Sequence, residues 1–235
     1  MKILANINNP SKIQTNSSLD TILGGGIEKR TITQFYGPPG SGKTNIALNL
    51  AVQVAKEGKK VAYIDTEGGI SIDRVKQLAG DNFDEIAKNI IVFEPDSFQE
   101  QSDNIKSISS WLVSNNDEMD LIVIDSAVAL YRLNEGKKSN LLNRELGVQM
   151  GILSKLARKY DIAVVITNQI YSTFEIEKSS TIKPVGGTIL KYWSKIIVEI
   201  SKSEINGQRI ATLKRHKSIA EGKSTKFAIT DEGIE

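Results

Sequence analysis

The run Gly37-Pro38-Pro39-Gly40-Ser41-Gly42-Lys43-Thr44 sets two glycines around four residues and follows them at once with a lysine and a hydroxyl. The chemistry served by this spacing is the holding of a phosphate chain. Glycines let the backbone curl so that successive N–H groups point inward, and the start of a helix adds its positive dipole end. The lysine can then reach the β- and γ-phosphates while the threonine hydroxyl meets a Mg²⁺ ion. The motif carries weight only between a strand and a helix, and both are present. Thr31–Tyr36 reads as a strand. From Lys43 onward the pairs Ile46/Ala47, Leu50/Ala51 and Val54/Ala55 recur every four residues, which makes one helical stripe over residues 43–56. The ligand this predicts is ATP with Mg²⁺.

A triphosphate–metal site needs a second group on the metal side. Leu121-Ile122-Val123-Ile124-Asp125 is an apolar strand closed by an acid, the Walker B pattern, so Asp125 joins Thr44 as a metal-site candidate. Hydrolysis further needs a group that orients or deprotonates water. Tyr63-Ile64-Asp65-Thr66-Glu67 ends another strand in a carboxylate, which makes Glu67 the candidate base; a loop or helix-capping role is the plainer alternative. Thr167-Asn168-Gln169 ends a third strand in amides. Gln169 is placed to touch a γ-phosphate and pass its presence to the next loop, with strand-end capping as the alternative. Lys43, Glu67 and Gln169 are therefore the catalytic candidates.

The elements that must position these groups are legible in the hydropathy pattern. Val61–Ile64, Leu121–Ile124 and Ile162–Ile166 are almost continuously apolar, as strands buried on both faces must be, and Ile90–Phe93 is a further strand. Leu142, Leu146, Met150, Leu153, Ala157 and Tyr160 mark a helix over residues 141–160. Alternating strands and helices predict an α/β fold with a mostly parallel central sheet flanked by helices. From Trp193 the pattern changes: Ile196–Ile200, Arg209–Leu213 and Lys226–Ile229 read as strands joined by turns, with Asn206-Gly207 a hairpin signal, so a C-terminal antiparallel extension is expected.

Composition narrows the chemistry. The 235 residues hold no cysteine and one histidine, His216, which excludes disulfides, thiolate zinc sites, cysteine nucleophiles and multi-histidine metal sites. No apolar run nears the roughly 18 residues of a membrane span, and the opening residues do not make a signal peptide, so a cytoplasmic protein without a membrane role is expected. The net charge of +2 conceals an asymmetry: residues 81–120 carry ten acids and two lysines, while Lys202–Lys226 holds seven basic residues against two acids. A basic face for nucleic acid and a plain solvated surface are both open readings of that strip.

In this order the pieces resemble the RecA/RadA recombinase family. The likeness runs from about Thr15 to the end of the chain. It rests on Ser18-Leu19-Asp20, Leu23-Gly24-Gly25-Gly26-Ile27, the phosphate loop, Tyr63–Glu67, Asp125-Ser126, Ala129-Leu130-Tyr131-Arg132, Ile166–Gln169 and Pro184-Val185-Gly186-Gly187. The wording GPPGSGKT, the short segment before the core and the basic Leu213-Lys214-Arg215-His216-Lys217 make the chain most similar to the short archaeal paralogues of RadA. The resemblance implies one RecA-like P-loop NTPase core over residues 1–235. On the same resemblance, residues 1–20 are expected to be a short N-terminal segment, with no N-terminal helix-hairpin-helix domain. The Gln169 strand is implied to lie between those of the phosphate loop and Asp125, and Arg74 to pack on adenine.

The resemblance also assigns DNA-facing loops to residues of about 132–144 and 170–187. Arg132, Lys137, Lys138 and Arg144 on the first, and Lys178 and Lys183 beside Tyr171 and Phe174 on the second, are the DNA-binding candidates, with single strands favoured. Arg215 and Lys217 are implied to reach a neighbouring subunit's γ-phosphate, with a role in a DNA-facing strip as the alternative. The chain contains no F-x-x-A tether, so a monomer or small homo-oligomer is expected rather than a filament. The function implied is a weak ATP hydrolase accessory to recombination. Its implied partners are a RadA-type recombinase and a junction-resolving nuclease. A KaiC-like signalling ATPase is the rival, and a small-molecule kinase fits less well because Glu67 and Gln169 suit water activation.

Overall fold

The computed structural model describes residue 3 and residues 9–115, 118–133, 139–169 and 187–235. Its elements follow in chain order: β1 (Lys12–Ile13), α1 (Leu19–Leu23), β2 (Ile27–Glu28), β3 (Ile32–Gly37), α2 (Lys43–Lys56), β4 (Lys60–Asp65), α3 (Ile72–Ala79), α4 (Phe83–Ala87), β5 (Ile90–Phe93), α5 (Phe98–Ser114), β6 (Met119–Asp125), α6 (Ala129–Arg132), α7 (Ser139–Tyr160), β7 (Ala163–Gln169), α8 (Gly187–Trp193), β8 (Ile196–Lys202), β9 (Gln208–Arg215), β10 (Ser224–Thr230) and β11 (Gly233–Ile234). A nine-stranded sheet runs in the order β11-β10-β9-β8-β3-β7-β6-β4-β5, and β1 and β2 pair separately. The six strands from β8 to β5 in that order are mutually parallel, and β9, β10 and β11 continue the sheet as antiparallel neighbours.

The apolar strands are apolar throughout because each buries both faces. Val61, Tyr63, Leu121, Val123, Ala163 and Val165 point into one layer with α2, α3 and α4. Their alternates Ala62, Ile64, Ile122, Ile124, Val164 and Ile166 point into the other with α5, α6, α7 and α8. Helix α2 buries Ile46, Ala47, Leu50, Ala51, Val54 and Ala55 as the four-residue spacing implies, and Leu48, Asn49 and Val52 besides. Its burial extends beyond one stripe because β11 and α3 pack on it as well as the sheet. Strand β7 lies between β3 and β6, as the resemblance implied.

The structure adds elements that the sequence reading does not mark, among them α1, α3, α4, α5 and α8. Helix α5 is not marked by the periodicity noted above. It is capped by Ser97, whose side chain accepts from the Glu100 N–H at 3.1 Å, while Glu100 accepts from the Asp96 N–H at 2.9 Å. The Ser97-x-x-Glu100 pair is a capping signal in the sequence. The expected DNA-facing segment 132–144 is shorter than a loop of that span, because α6 ends at Arg132 and α7 begins at Ser139. Among the described residues no helix is long and apolar enough to cross a membrane.

The fold's contribution to chemistry is a level row of strand ends. Gly37 is the register partner of Gln169, and Asp65 is that of Asp125. The β3, β7, β6 and β4 ends therefore meet along one edge, where parallel α/β sheets bind ligands.

Candidate nucleotide site

The phosphate loop leaves β3 at Gly37 and enters α2 at Lys43. Gly37 is required for a reason apart from phosphate. A Cβ built there would stand 2.1 Å from the Ile200 carbonyl oxygen of the neighbouring β8, far inside contact distance. Gly37→Ala is therefore expected to lower stability by about 1–3 kcal/mol, since backbone must yield. The check is a melting midpoint several degrees lower in nucleotide-free protein; an unchanged midpoint would remove this account of Gly37. Gly42 precedes the helix at φ 100°, in the left-handed region, with the Ile229 methyl where a side chain would lie.

Lys43 is buried. Its ammonium donates to the carbonyls of Gly37 and Pro38, each at 3.0 Å, and to Ser41 Oγ at 3.4 Å. Burial lowers its pKa, and the negative charges of Asp125 and Glu67 oppose that shift. The lysine thus sits in the field of both carboxylates.

Asp125 accepts from the Tyr63 hydroxyl at 3.0 Å on Oδ2 and from the Thr167 hydroxyl on Oδ1. Burial, with the adjacent Asp125 charge and hydrogen bond, holds the Tyr63 phenol well above its usual pKa, so it stays a donor. The Asp125–Ser126 peptide is cis, and Thr66 Oγ1 bridges to Ser126 by accepting its N–H at 2.8 Å and donating to its carbonyl at 2.9 Å.

Sequence reasoning missed the part played by Asp65. Its carboxylate accepts from the N–H groups of Glu67, Gly69 and Ile70 at 3.2, 3.0 and 2.9 Å and so shapes the loop that carries Glu67. The signal was an acid two residues before the candidate base, a spacing that suits a side-chain-closed turn. Glu67 in turn receives both contacts of the Gln169 amide, at 2.9 Å on Oε1 and 2.7 Å on Oε2. The Gln169 oxygen accepts from Arg132 at 3.1 Å. The structure therefore joins Glu67, Gln169 and Arg132 in one chain of hydrogen bonds across the strand ends.

The groups fit ATP with Mg²⁺. A glycine-bearing cradle opens a 14-residue helix, with an ammonium held only by neutral oxygens within it. Among the described residues no group of three or more His, Cys, Asp or Glu side chains is arranged to hold a metal alone. Mg²⁺ suits such a place, because it is commonly held by one or two protein ligands plus substrate phosphates, and Thr44 and Asp125 are the residues that would supply the protein's share. Beside the loop lies an open cavity of about 310 Å³, bounded by Gly42, Thr44 and Asn45 on one side and by Gly207, Arg209 and Ile229 on the other.

Arg74 is anchored edge-on near this cavity. It donates to Asn45 Oδ1 at 2.9 Å, to Gln77 at 3.1 Å, and to the carbonyls of Asp231 and Gly233 at 3.2 Å. Its edge is spent on these acceptors, and a fixed guanidinium plane is what stacking on a base needs. Arg215 and Lys217 lie at the other end of the sheet. Arg215 pairs in register with Ile197, near the start of β8, and donates to the Lys191 carbonyl. Lys217 pairs with Glu28, whose side chain is 5% exposed. Neither reaches this subunit's own phosphate loop. Of the DNA-binding candidates, Arg132 is half-buried against Gln169 and Arg144 is exposed on α7. Lys137, Lys138, Lys178 and Lys183, with Tyr171 and Phe174, lie outside the described residues.

The Rad51 family model matches residues 9–235. A protein of Methanobrevibacter smithii named DNA repair and recombination protein RadB is 58% identical over the whole of both chains. One of the same name from Methanothermobacter thermautotrophicus is 52% identical, again over the whole of both. A crystal structure described as that of the RadB recombinase superposes with a TM-score of 0.81 at 38% identity, over 95% of this chain and 98% of the other.

Proposed function

Since the chain belongs to the Rad51 family and resembles RadB proteins end to end, we propose that it is a RadB-type accessory of DNA repair and homologous recombination. In this reading residues 1–235 form one RecA-like core that binds ATP with Mg²⁺, hydrolyses it slowly and binds DNA, single strands in preference. It assists or regulates a RadA-type recombinase rather than exchanging strands itself, and contacts a junction-resolving nuclease. It works in the cytoplasm as a monomer or small homo-oligomer.

The observation that carries the nucleotide part of this reading is the row of strand ends: the Glu67 carboxylate held by Gln169 in the field that also reaches Lys43. Lys43 and the loop N–H groups bind and orient the phosphates, and Thr44 and Asp125 hold Mg²⁺, which supplies charge neutralisation on the phosphate oxygens. Glu67 accepts a proton from water at its carboxylate oxygen. Gln169 is positioned to exchange its hold on Glu67 for one on the γ-phosphate and to pass that change to Arg132. The KaiC-like reading shares this ATP chemistry and lacks DNA binding; the names of the full-length relatives favour recombination.

The direct test is Lys43→Ala. Loss of one charge-assisted phosphate contact is expected to cost roughly 1.5–3 kcal/mol, or about ten- to a hundredfold and more in ATP-Mg affinity, with the fold intact. Calorimetric titration of the variant beside wild type measures it. Equal affinities would remove the nucleotide reading.

A further inference from the structure

We propose that Arg209, backed by Lys202, is a ligand for nucleotide phosphate that each subunit supplies to its own phosphate loop. The inference rests on the ATP-binding reading above and adds to it the cations of the far cavity wall. Those cations come from the antiparallel extension, on the β8–β9 hairpin that turns at Gly207.

Lys202 closes β8 and Arg209 is the second residue of β9, and the two are register partners across the antiparallel pair. That pairing swings both toward the phosphate loop. The Lys202 ammonium lies 3.4 Å from a Cβ built on Gly40, and the Arg209 stem lies 3.9 Å from one built on Gly42. Arg209 also lines the cavity opposite Thr44 and Asn45. One of its terminal nitrogens donates to the Gln208 carbonyl at 2.9 Å. Its Nε is buried and has no hydrogen-bond partner among the described residues. Neither Arg209 nor Lys202 is in an ion pair there.

A guanidinium N–H left buried and unpaired beside a phosphate cradle is a costly arrangement that an anion relieves. The basic groups farther along the same hairpin differ on each count. Lys214 is paired with Glu199 at 2.8 Å, and Lys217 with Glu28. Arg215 lies six residues beyond Arg209, roughly 20 Å along an extended strand. Lys43 and Arg209 thus line one cavity within one subunit, and Lys202 reaches the same loop at Gly40. A triphosphate held by these three needs no cation from a neighbour.

The test uses the full chain at concentrations where it sediments as a monomer, titrated with ATP-Mg and ADP-Mg. Arg209→Gln should weaken both nucleotides by roughly tenfold or more, the loss of a charge-assisted contact. Arg209→Lys should recover only part, because it keeps the charge and loses the planar fork. Lys202→Ala should weaken ATP more at low salt than at high salt. Melting of nucleotide-free Arg209→Gln checks that the hairpin is intact; if it is not, Arg209→Lys carries the test. Wild-type affinity in both Arg209 variants overturns the proposal while leaving Lys43-dependent binding in place. So does a wild-type affinity that appears only as subunits associate. If wild type binds no ATP, the nucleotide reading itself fails, and this inference fails with it.

Discussion

Glu67→Gln is expected to bind ATP-Mg nearly as well as wild type and to hydrolyse it about 10²–10⁴-fold more slowly, the usual contribution of a positioned general base. The substitution keeps the shape of the side chain and one of its two acceptor oxygens. Glu67 receives both contacts of the Gln169 amide at 2.7 and 2.9 Å, and its loop is held independently by the Asp65 carboxylate through three N–H groups. A glutamine can still accept one bond from Gln169, so the loop should keep its place while the proton acceptor is lost. Single-turnover hydrolysis is the right measurement, because slow product release would mask a change in the chemical step. Unchanged single-turnover rates would make Glu67 a structural carboxylate whose purpose is to hold Gln169. Gln169→Ala then separates the two roles. It should slow hydrolysis and also free Arg132 from its contact at 3.1 Å.

Much of this site can be read from the sequence because its grammar is local. The eight residues Gly37–Thr44 hold their spacing within one loop, and Asp125, Glu67 and Gln169 each stand at or just past the end of an apolar run. The strands are legible for the same reason: burial on both faces leaves Leu121–Ile124 and Ile162–Ile166 with no polar alternation to obscure them. What cannot be read depends on pairing between distant segments. Arg209 and Lys202 look like two members of a basic strip, and only the β8–β9 register brings them to the phosphate loop. Arg215 and Lys217 have a spacing that suits reaching a phosphate. Their contacts with the Lys191 carbonyl and Glu28 come from elements 24 and 189 residues away in sequence. Arg132 reads as a loop cation for DNA, yet it bonds to Gln169, 37 residues on. Non-local register is set by the whole sheet, so no short window of sequence contains it.

The charge asymmetry acquires a direction once the sheet order is known. The acidic stretch 81–120 surrounds β5 at one edge, and the basic hairpin strands β9 and β10 lie toward the other. Between them, the segments that follow β6 and β7 leave adjacent strands at the same end of the sheet. The tail is differently placed: Lys214, Arg215 and Lys217 each already have an acceptor within the chain.

DNA affinity should accordingly be carried by the two loop segments and be steeply salt-dependent. The candidate cations Lys137, Lys138, Arg144, Lys178 and Lys183, joined by Arg132 once it leaves Gln169, would displace a comparable number of counterions. On a single strand, five or six such contacts cost roughly a hundredfold to several hundredfold in affinity between 50 and 200 mM salt. Lys137→Ala/Lys138→Ala should lower affinity about equally for all sequences and flatten the log–log salt slope by roughly one or two units. Lys214→Ala/Arg215→Ala/Lys217→Ala should leave that slope nearly unchanged. Anisotropy of a labelled single strand at several salt concentrations measures both. The reverse result would move the DNA site to the tail and break the internal pairs with Glu199 and Glu28 as DNA binds. No DNA binding by wild type at low salt would favour the KaiC-like reading, since the ATP chemistry alone does not separate the two. Gln169 touches both Glu67 and the arginine that ends α6, so the same measurement made with and without nucleotide tests the proposed coupling. If ATP-Mg changes the DNA affinity of wild type, DNA must change ATP affinity by the same factor. Gln169→Ala should abolish that coupling while leaving the salt slope intact. Coupling that survives this substitution would have to travel by a route other than the hydrogen bonds joining Glu67 to Arg132.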